Sequence, residues 1–187
     1  NDAAYHLDKY NREFNKLINI WGADHIGYIP RMKSVLKTIA NKDDYLEIVT
    51  CQIVRLIKNN KILKMSKREG NFITLQEVYN QVGKDPLRYF MVSTKSETSM
   101  DFDLNKVIEK NKDNPVFYVQ YAYARINSIF RVLKIKINKK IVLRKEKFHL
   151  NEHEMEILKK ISEWPKCIEL STTKLEPHRI PFYLYEL

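Results

Sequence analysis

Apolar and polar positions alternate with two different periods along this chain, and the change falls near residue 114. Ala3 to Leu17 sets Tyr5, Leu7, Phe14 and Leu17 among polar residues and predicts a helix. Ile18-Asn19-Ile20-Trp21 predicts a short strand that ends at Gly22. Asp24 to Ala40 predicts a second helix with Ile29, Met32, Val35, Leu36 and Ile39 as its stripe, and Pro30 is tolerated in its first turns. Tyr45 to Ile57 is rich in β-branched residues, and Asn59-Asn60 turns it into a short strand, Lys61 to Leu63. Strand, helix, strand and a glycine-punctuated loop together imply α/β architecture.

Thr74-Leu75-Gln76-Glu77 carries a capping box for a helix with Val78 and Val82, which Gly83 ends. Asp85 as N-cap and Pro86 at the first helical position predict the next, with Leu87, Phe90 and Met91 as its apolar face. Ser93 to Met100 is polar and irregular, and Asp101-Phe102-Asp103 precedes a lysine-rich helical stretch to Lys112. From Asn114-Pro115 the pattern is helical throughout. Val116, Val119, Tyr123, Ile126, Phe130 and Leu133 are spaced as a helix–helix packing seam. Lys134 to Lys147 reads as a basic linker or hairpin. Asn151 to Glu154 caps a helix expected to bury Met155, Leu158 and Ile161, and Leu175 to Leu187 begins another.

Composition narrows the picture only in part. A hydrophobic fraction of 44% beside 30% charged residues describes a soluble globular chain. No apolar run approaches the ~20 residues that cross a bilayer, so no membrane partner is expected. Cys51 and Cys167 stand apart from any metal-ligand spacing, which fits small core or partly buried residues in a reduced, cytoplasmic setting and no metal site. The net charge of +10 favours an anionic partner, nucleic acid first. Asn1-Asp2-Ala3-Ala4-Tyr5 reads as joining a structure already under way, so a fragment cut at both ends is expected.

Two stretches can carry chemistry. In Lys64-Met65-Ser66-Lys67-Arg68-Glu69-Gly70-Asn71, three cations and a hydroxyl crowd a loop between a strand and a helix. Such ammonium groups can neutralise charge developing on a leaving pyrophosphate, although a basic loop is more often simply solvated. Trp21-Gly22-Ala23-Asp24-His25 is a strand, a tight turn and a helix start, the setting in which open α/β sheets bind ligands. Its plain alternative is Asp24 as a helix cap and His25 as a surface residue.

Lys64-Met65-Ser66-Lys67 resembles the second signature of class I aminoacyl-tRNA synthetases. The ordered set of Trp21 to Tyr28, Gln52 to Leu56, Lys64 to Phe72, Asp85 to Phe90, Asp101 to Asp103 and Asp113 to Ala122 resembles bacterial-type arginyl-tRNA synthetases in particular. The resemblance runs over roughly residues 1 to 130. It implies that Lys64 and Lys67 contact ATP phosphates during adenylation, with Ser66 and Met65 in the same loop. It further implies that Asp2 pairs with the substrate guanidinium, that Asp24 lies by the amino acid, and that Gly22 and His25 lie near the nucleotide. A planar guanidinium is well matched to a carboxylate. Magnesium would accompany ATP. Tyr118 and Tyr121, with Arg125 and Arg131, are candidates to stack on anticodon bases, although most rings among Phe117, Tyr118, Tyr121 and Tyr123 read as core.

The family's first ATP signature is not in these residues, and a chain without it is expected not to form adenylate alone. The fold class implied is an α/β Rossmann-like catalytic half-domain, residues 1–111, followed by a truncated all-α helical-bundle anticodon-binding domain, residues 112–187. The implied activity is ATP-dependent attachment of L-arginine to tRNA(Arg) by a monomer. The alternatives are another class I synthetase or a non-catalytic RNA-binding module.

Overall fold

The chain begins in helix α1, Asp2–Asn11, which ends well before the predicted Leu17. Glu13 takes a left-handed φ of 59° and turns the chain. Leu17 is thereby freed to open strand β1, Leu17–Gly22. A 3-10 turn, Ala23–Tyr28, follows. Helix α2, Ile29–Ala40, starts only after it, later than the predicted Asp24. Pro30 explains the delay: it has no N–H, so an α-helical ladder cannot run through it from the preceding turn. Strand β2, Leu46–Cys51, then pairs parallel with β1 in the register Leu17↔Leu46 to Gly22↔Cys51. The computed structural model describes residues 2–41, 45–63, 72–134 and 149–187. The basic loop at 64–71 and the linker reading beyond Lys134 lie outside the described residues.

The described chain divides into two units, Asn1–Arg55 with Thr94–Asp101, and Leu56–Ser93 with Phe102–Leu187. In the first, Leu17, Met32, Leu36, Ala40, Tyr45 and Leu46 form the core, with Trp21, Val35, Ile39 and Ile48 packed around it. The helical stripe of α2 is therefore the face that covers the β1–β2 pair. The run expected as one strand from Tyr45 to Ile57 breaks at Gln52-Ile53. There the backbone changes partners: the Gln52 N–H donates to Ser96 O at 2.8 Å, and Ile53 O accepts from Met100 N. A β-branched run reports extension but says nothing about which neighbour it pairs with.

The second unit takes up the chain within strand β3, Val54–Lys58. Asn59 and Asn60, both at positive φ, make the expected turn into β4, Lys61–Ile62. Helix α3, Leu75–Val82, carries the complete capping box. The Thr74 N–H and hydroxyl both donate to the Glu77 carboxylate, and these bonds, the backbone one foremost, hold it below its ordinary range. Gly83 leaves the helix at φ 81°, a conformation that a side chain would strain. Helix α4, Lys84–Ser93, starts before Asp85, which therefore lies inside the first turn rather than capping it.

Met100–Asp103 is a strand, β5, and no α-helix follows it to Lys112. Asp103 accepts from the N–H groups of Asn105 and Lys106, closing a local turn that leads into a 3-10 turn at Lys106–Ile108. Phe102, fully buried, meets Phe90 edge-on at 6.2 Å. Helix α5, Pro115–Val132, is capped by Asn114, whose amide also donates to Val107 O and Glu109 O. The apolar seam read along α5 is not buried: only Val116 is, and Tyr123, Ile126 and Leu133 are exposed. Helix α6, Glu152–Ser162, is capped as expected by Asn151 and Glu154, yet Met155, Leu158 and Ile161 are exposed too. Helices α7, Trp164–Thr173, and α8, Arg179–Glu186, close the described chain. Tyr89 of α4 donates to Pro181 O at 3.2 Å, and burial, with the nearby Tyr185, pushes its phenol up.

Candidate functional site

Residues of α1, β1, the 3-10 turn and α2 line an open cavity of about 950 Å³ within the first unit. Asp2, Tyr5, His6 and Lys9 line it at positions i, i+3, i+4 and i+7, one stripe of α1. Another wall is aromatic and cationic. His25 stands between Trp21 and Tyr28, with ring centroids 6.5 and 6.1 Å away, and the Arg31 guanidinium lies 5.6 Å from the Tyr28 ring. Along β1 the lining runs from Ile18 to Trp21, and His25 follows just past the end of the strand, the region where such sheets bind ligands.

Two buried polar side chains join these walls. Asn19 projects from β1 on the same face as Leu17 and donates through Nδ2 to His6 Nε2 at 2.8 Å. His6 Nδ1 lies 2.8 Å from the Asp2 carbonyl oxygen. A carbonyl only accepts, so Nδ1 carries the proton and Nε2 offers its lone pair to Asn19. Asn19 Oδ1 then accepts from the Lys9 ammonium at 2.9 Å. Lys9 is also 4.3 Å from the centre of the Tyr5 ring.

Of the residues expected from sequence, Asp2 and His25 reach this cavity. Asp24 does not line it: its side chain is largely exposed and 3.6 Å from His25 Nε2. Nor does Asp24 cap a helix, since Gly22 holds the N-cap position of the 3-10 turn with no side-chain bond. Gly22 leaves space at this turn. A Cβ there would come within 2.5 Å of Asp24 Oδ1, so the missing side chain lets the carboxylate fold back over the turn. Lys64, Met65, Ser66 and Lys67 lie outside the described residues. The sequence reading missed His6, Lys9, Asn19, Tyr28 and Arg31. Its available signal was a lone amide inside Ile18-Asn19-Ile20, where an inward strand position carries Asn.

On α5, Tyr118, Tyr121 and Arg125 share one stripe, whereas Arg131 is roughly 120° further round. Phe117 stacks on Tyr121 at 6.0 Å, and the Arg125 guanidinium lies 5.9 Å from the Tyr121 ring. Tyr118 leans on Tyr185 of α8 at 5.3 Å, and Arg131 donates to Ser128 Oγ. Tyr118, Tyr121 and Tyr123 are exposed, so the reading of most of these rings as core does not hold.

Residues 6–104 match the family described as tRNA synthetases class I (I, L, M and V), and residues 119–187 match the DALR anticodon binding domain. The chain belongs to the class I tRNA synthetases, with a catalytic-type α/β region followed by a helical anticodon-binding domain. Among individual relatives, the arginine–tRNA ligase of Pelagibacter ubique is 50% identical over 186 residues, covering 100% of this chain and 32% of that protein. That of Ruegeria pomeroyi is 46% identical over 190 residues, covering 100% and 33%. A Campylobacter jejuni crystal structure assigned as an arginyl-tRNA synthetase superposes with a TM-score of 0.85 at 36% identity, covering 99% of this chain and 40% of that one. Thermus thermophilus arginyl-tRNA synthetase gives a TM-score of 0.68 at 17% identity over 92% of this chain and 32% of its own, a likeness of fold. The chain thus spans about a third of the length of the curated relatives it matches.

Proposed function

We propose that the protein carrying this chain attaches L-arginine to tRNA(Arg) at the expense of ATP. The observation that carries this reading is the cavity beside β1 that Asp2 and His25 both line. The names of the two relatives support the same substrate. An arginine carboxylate oxygen forms a bond to the α-phosphorus of ATP, the bond to the bridging oxygen breaks, and pyrophosphate leaves. A ribose hydroxyl of the terminal adenosine then attacks the activated carbonyl, and AMP leaves. No side-chain nucleophile is required; positioning and charge stabilisation do the work.

In this reading Asp2 accepts the guanidinium, Asp24 and Gly22 shape the turn beside the amino acid and nucleotide, and His25 borders the nucleotide. Lys64 and Lys67, with Ser66 and Met65, stabilise the triphosphate as it is cleaved. Among the described residues no group of three or more His, Cys, Asp or Glu is placed to hold a metal. Magnesium binds characteristically through substrate phosphates, and here it would arrive with ATP. Tyr118, Tyr121, Arg125 and Arg131 receive the transfer RNA. The boundary between residues 1–111 and 112–187 falls in the gap between the two family matches, which supports it. The protein acts as a monomer in the cytoplasm. Among the described residues no helix is long and apolar enough to cross a membrane.

Aminoacylation of tRNA(Arg) by the full-length protein, with Lys64→Ala and Lys67→Ala beside it, tests the reading. Charging with arginine and a kcat lower by about 100-fold or more in each variant is the expected result. Charging without loss in either variant would remove the loop from the mechanism. Binding of tRNA without any charging would favour an RNA-binding module.

A further inference from the structure

The amide of Asn19 is unusual in its setting. It is 6% exposed on an inward strand position, and the imidazole it meets, His6, is 4% exposed. Among the described residues no buried side-chain nitrogen or oxygen lacks a partner, and here both ring nitrogens and both amide heavy atoms are bonded. Their bonds run in one direction: Lys9 donates to Asn19, Asn19 donates to His6, and His6 donates to the Asp2 carbonyl. None of the links can reverse. Ammonium only donates and carbonyl only accepts, so the two ends fix the orientation of the amide and the tautomer of the ring between them.

The consequence is geometric. His6 and Lys9 are one turn apart on α1, and both are held by a single side chain of β1. The strand therefore fixes both the height and the rotation of α1. The first residue of α1 is Asp2, whose carbonyl receives the last bond and which itself lines the cavity. We propose that Asn19 is a positioning residue: through His6 it holds the Asp2 carboxylate at the distance that a guanidinium-bearing substrate requires. This inference rests on the reading of Asp2 as the arginine-pairing group.

A bidentate carboxylate–guanidinium pair tolerates little displacement, so a shifted α1 weakens arginine binding while leaving the nucleotide side in place. The test uses the full-length protein and arginine-dependent ATP–pyrophosphate exchange. Asn19→Leu keeps the branched outline of the side chain and removes both bonds. It is expected to raise the KM for arginine on the order of tenfold, with the KM for ATP and kcat each changed less than about threefold. Lys9→Met removes one bond at a less buried position and frees the amide to rotate. It is expected to raise the arginine KM by about threefold in the same selective way. Asn19→Asp still accepts from Lys9 but offers no donor to His6. Nitrogen-15 NMR of the His6 ring is expected to change from a single Nδ1–H tautomer in the wild type to a doubly protonated ring in this variant.

An unchanged arginine KM in both Asn19→Leu and Lys9→Met would overturn the inference. So would an equal rise of both KM values with a fall in kcat, which would mark a structural role only. Wild-type exchange with no amino acid would instead sink the functional reading beneath it, and exchange with an amino acid lacking a guanidinium would do the same.

Discussion

Strand β1 and helix α5 both turn part of their apolar surface outward, and they do so with different consequences. On β1, Asn19 is 6% exposed while its neighbour Ile20 is 72% exposed, an inversion of the usual order. There the inward amide is bonded on both sides and the outward isoleucine lines a cavity. On α5, Tyr123 is 71% exposed and Val132 79%, and no residue beyond Val116 is buried. The first inversion builds a cavity wall from fixed partners. The second presents a face whose residues are spaced for packing and stand open among the described residues. An inverted pattern thus points to a site only where buried polar atoms answer it.

The sharpest way to probe this contrast is to cut into what lies behind each surface. Leu36, fully buried beneath β1 and β2, is expected to lose about 2–5 kcal/mol on Leu36→Ala, read as a lower thermal midpoint of the full-length protein. At the cavity rim, Asp2→Asn removes one charge and is expected to raise the arginine KM by about 100-fold without lowering thermal stability. Both effects belong to the first unit.

Smaller effects belong to the second unit. Thr74→Ala removes a helix cap and is expected to cost about 1 kcal/mol. The Glu77 carboxylate that Thr74 holds is shifted down from 4.5, so its contribution is complete above that value and is lost as the pH falls through the lowered one. The stability gap between wild type and Thr74→Ala is therefore expected to be full at neutral pH and to narrow below pH 4.5. At the end of α5, Val132→Ser is expected to change stability by less than about 0.5 kcal/mol. A large loss there would mean that this face is covered, and the contrast with β1 would fail.

Much of the fold was legible because its signals are local. The caps at Thr74, Asn114 and Asn151 each act through atoms within three residues, and all three helices start where those caps stand. The Asn59-Asn60 turn is equally local. What the sequence did not disclose depends on distant partners. β5 exists because Met100 to Asp103 finds β3, and the Tyr45 to Ile57 run divides because Gln52 bonds Ser96. Neither partner is adjacent in sequence. The same division runs through the site. Asp2 and His25 were found by resemblance of motifs, whereas Lys9, His6 and Asn19 emerge only when α1 is laid against β1. A helix stripe and a single strand amide gave no reason, taken apart, to be read together.

The most direct test of the central claim is ATP–pyrophosphate exchange by the full-length protein, with tRNA(Arg) present, for each of the twenty amino acids in turn. Exchange with arginine alone is the expected result. Exchange driven by a different amino acid, or by none, would contradict it.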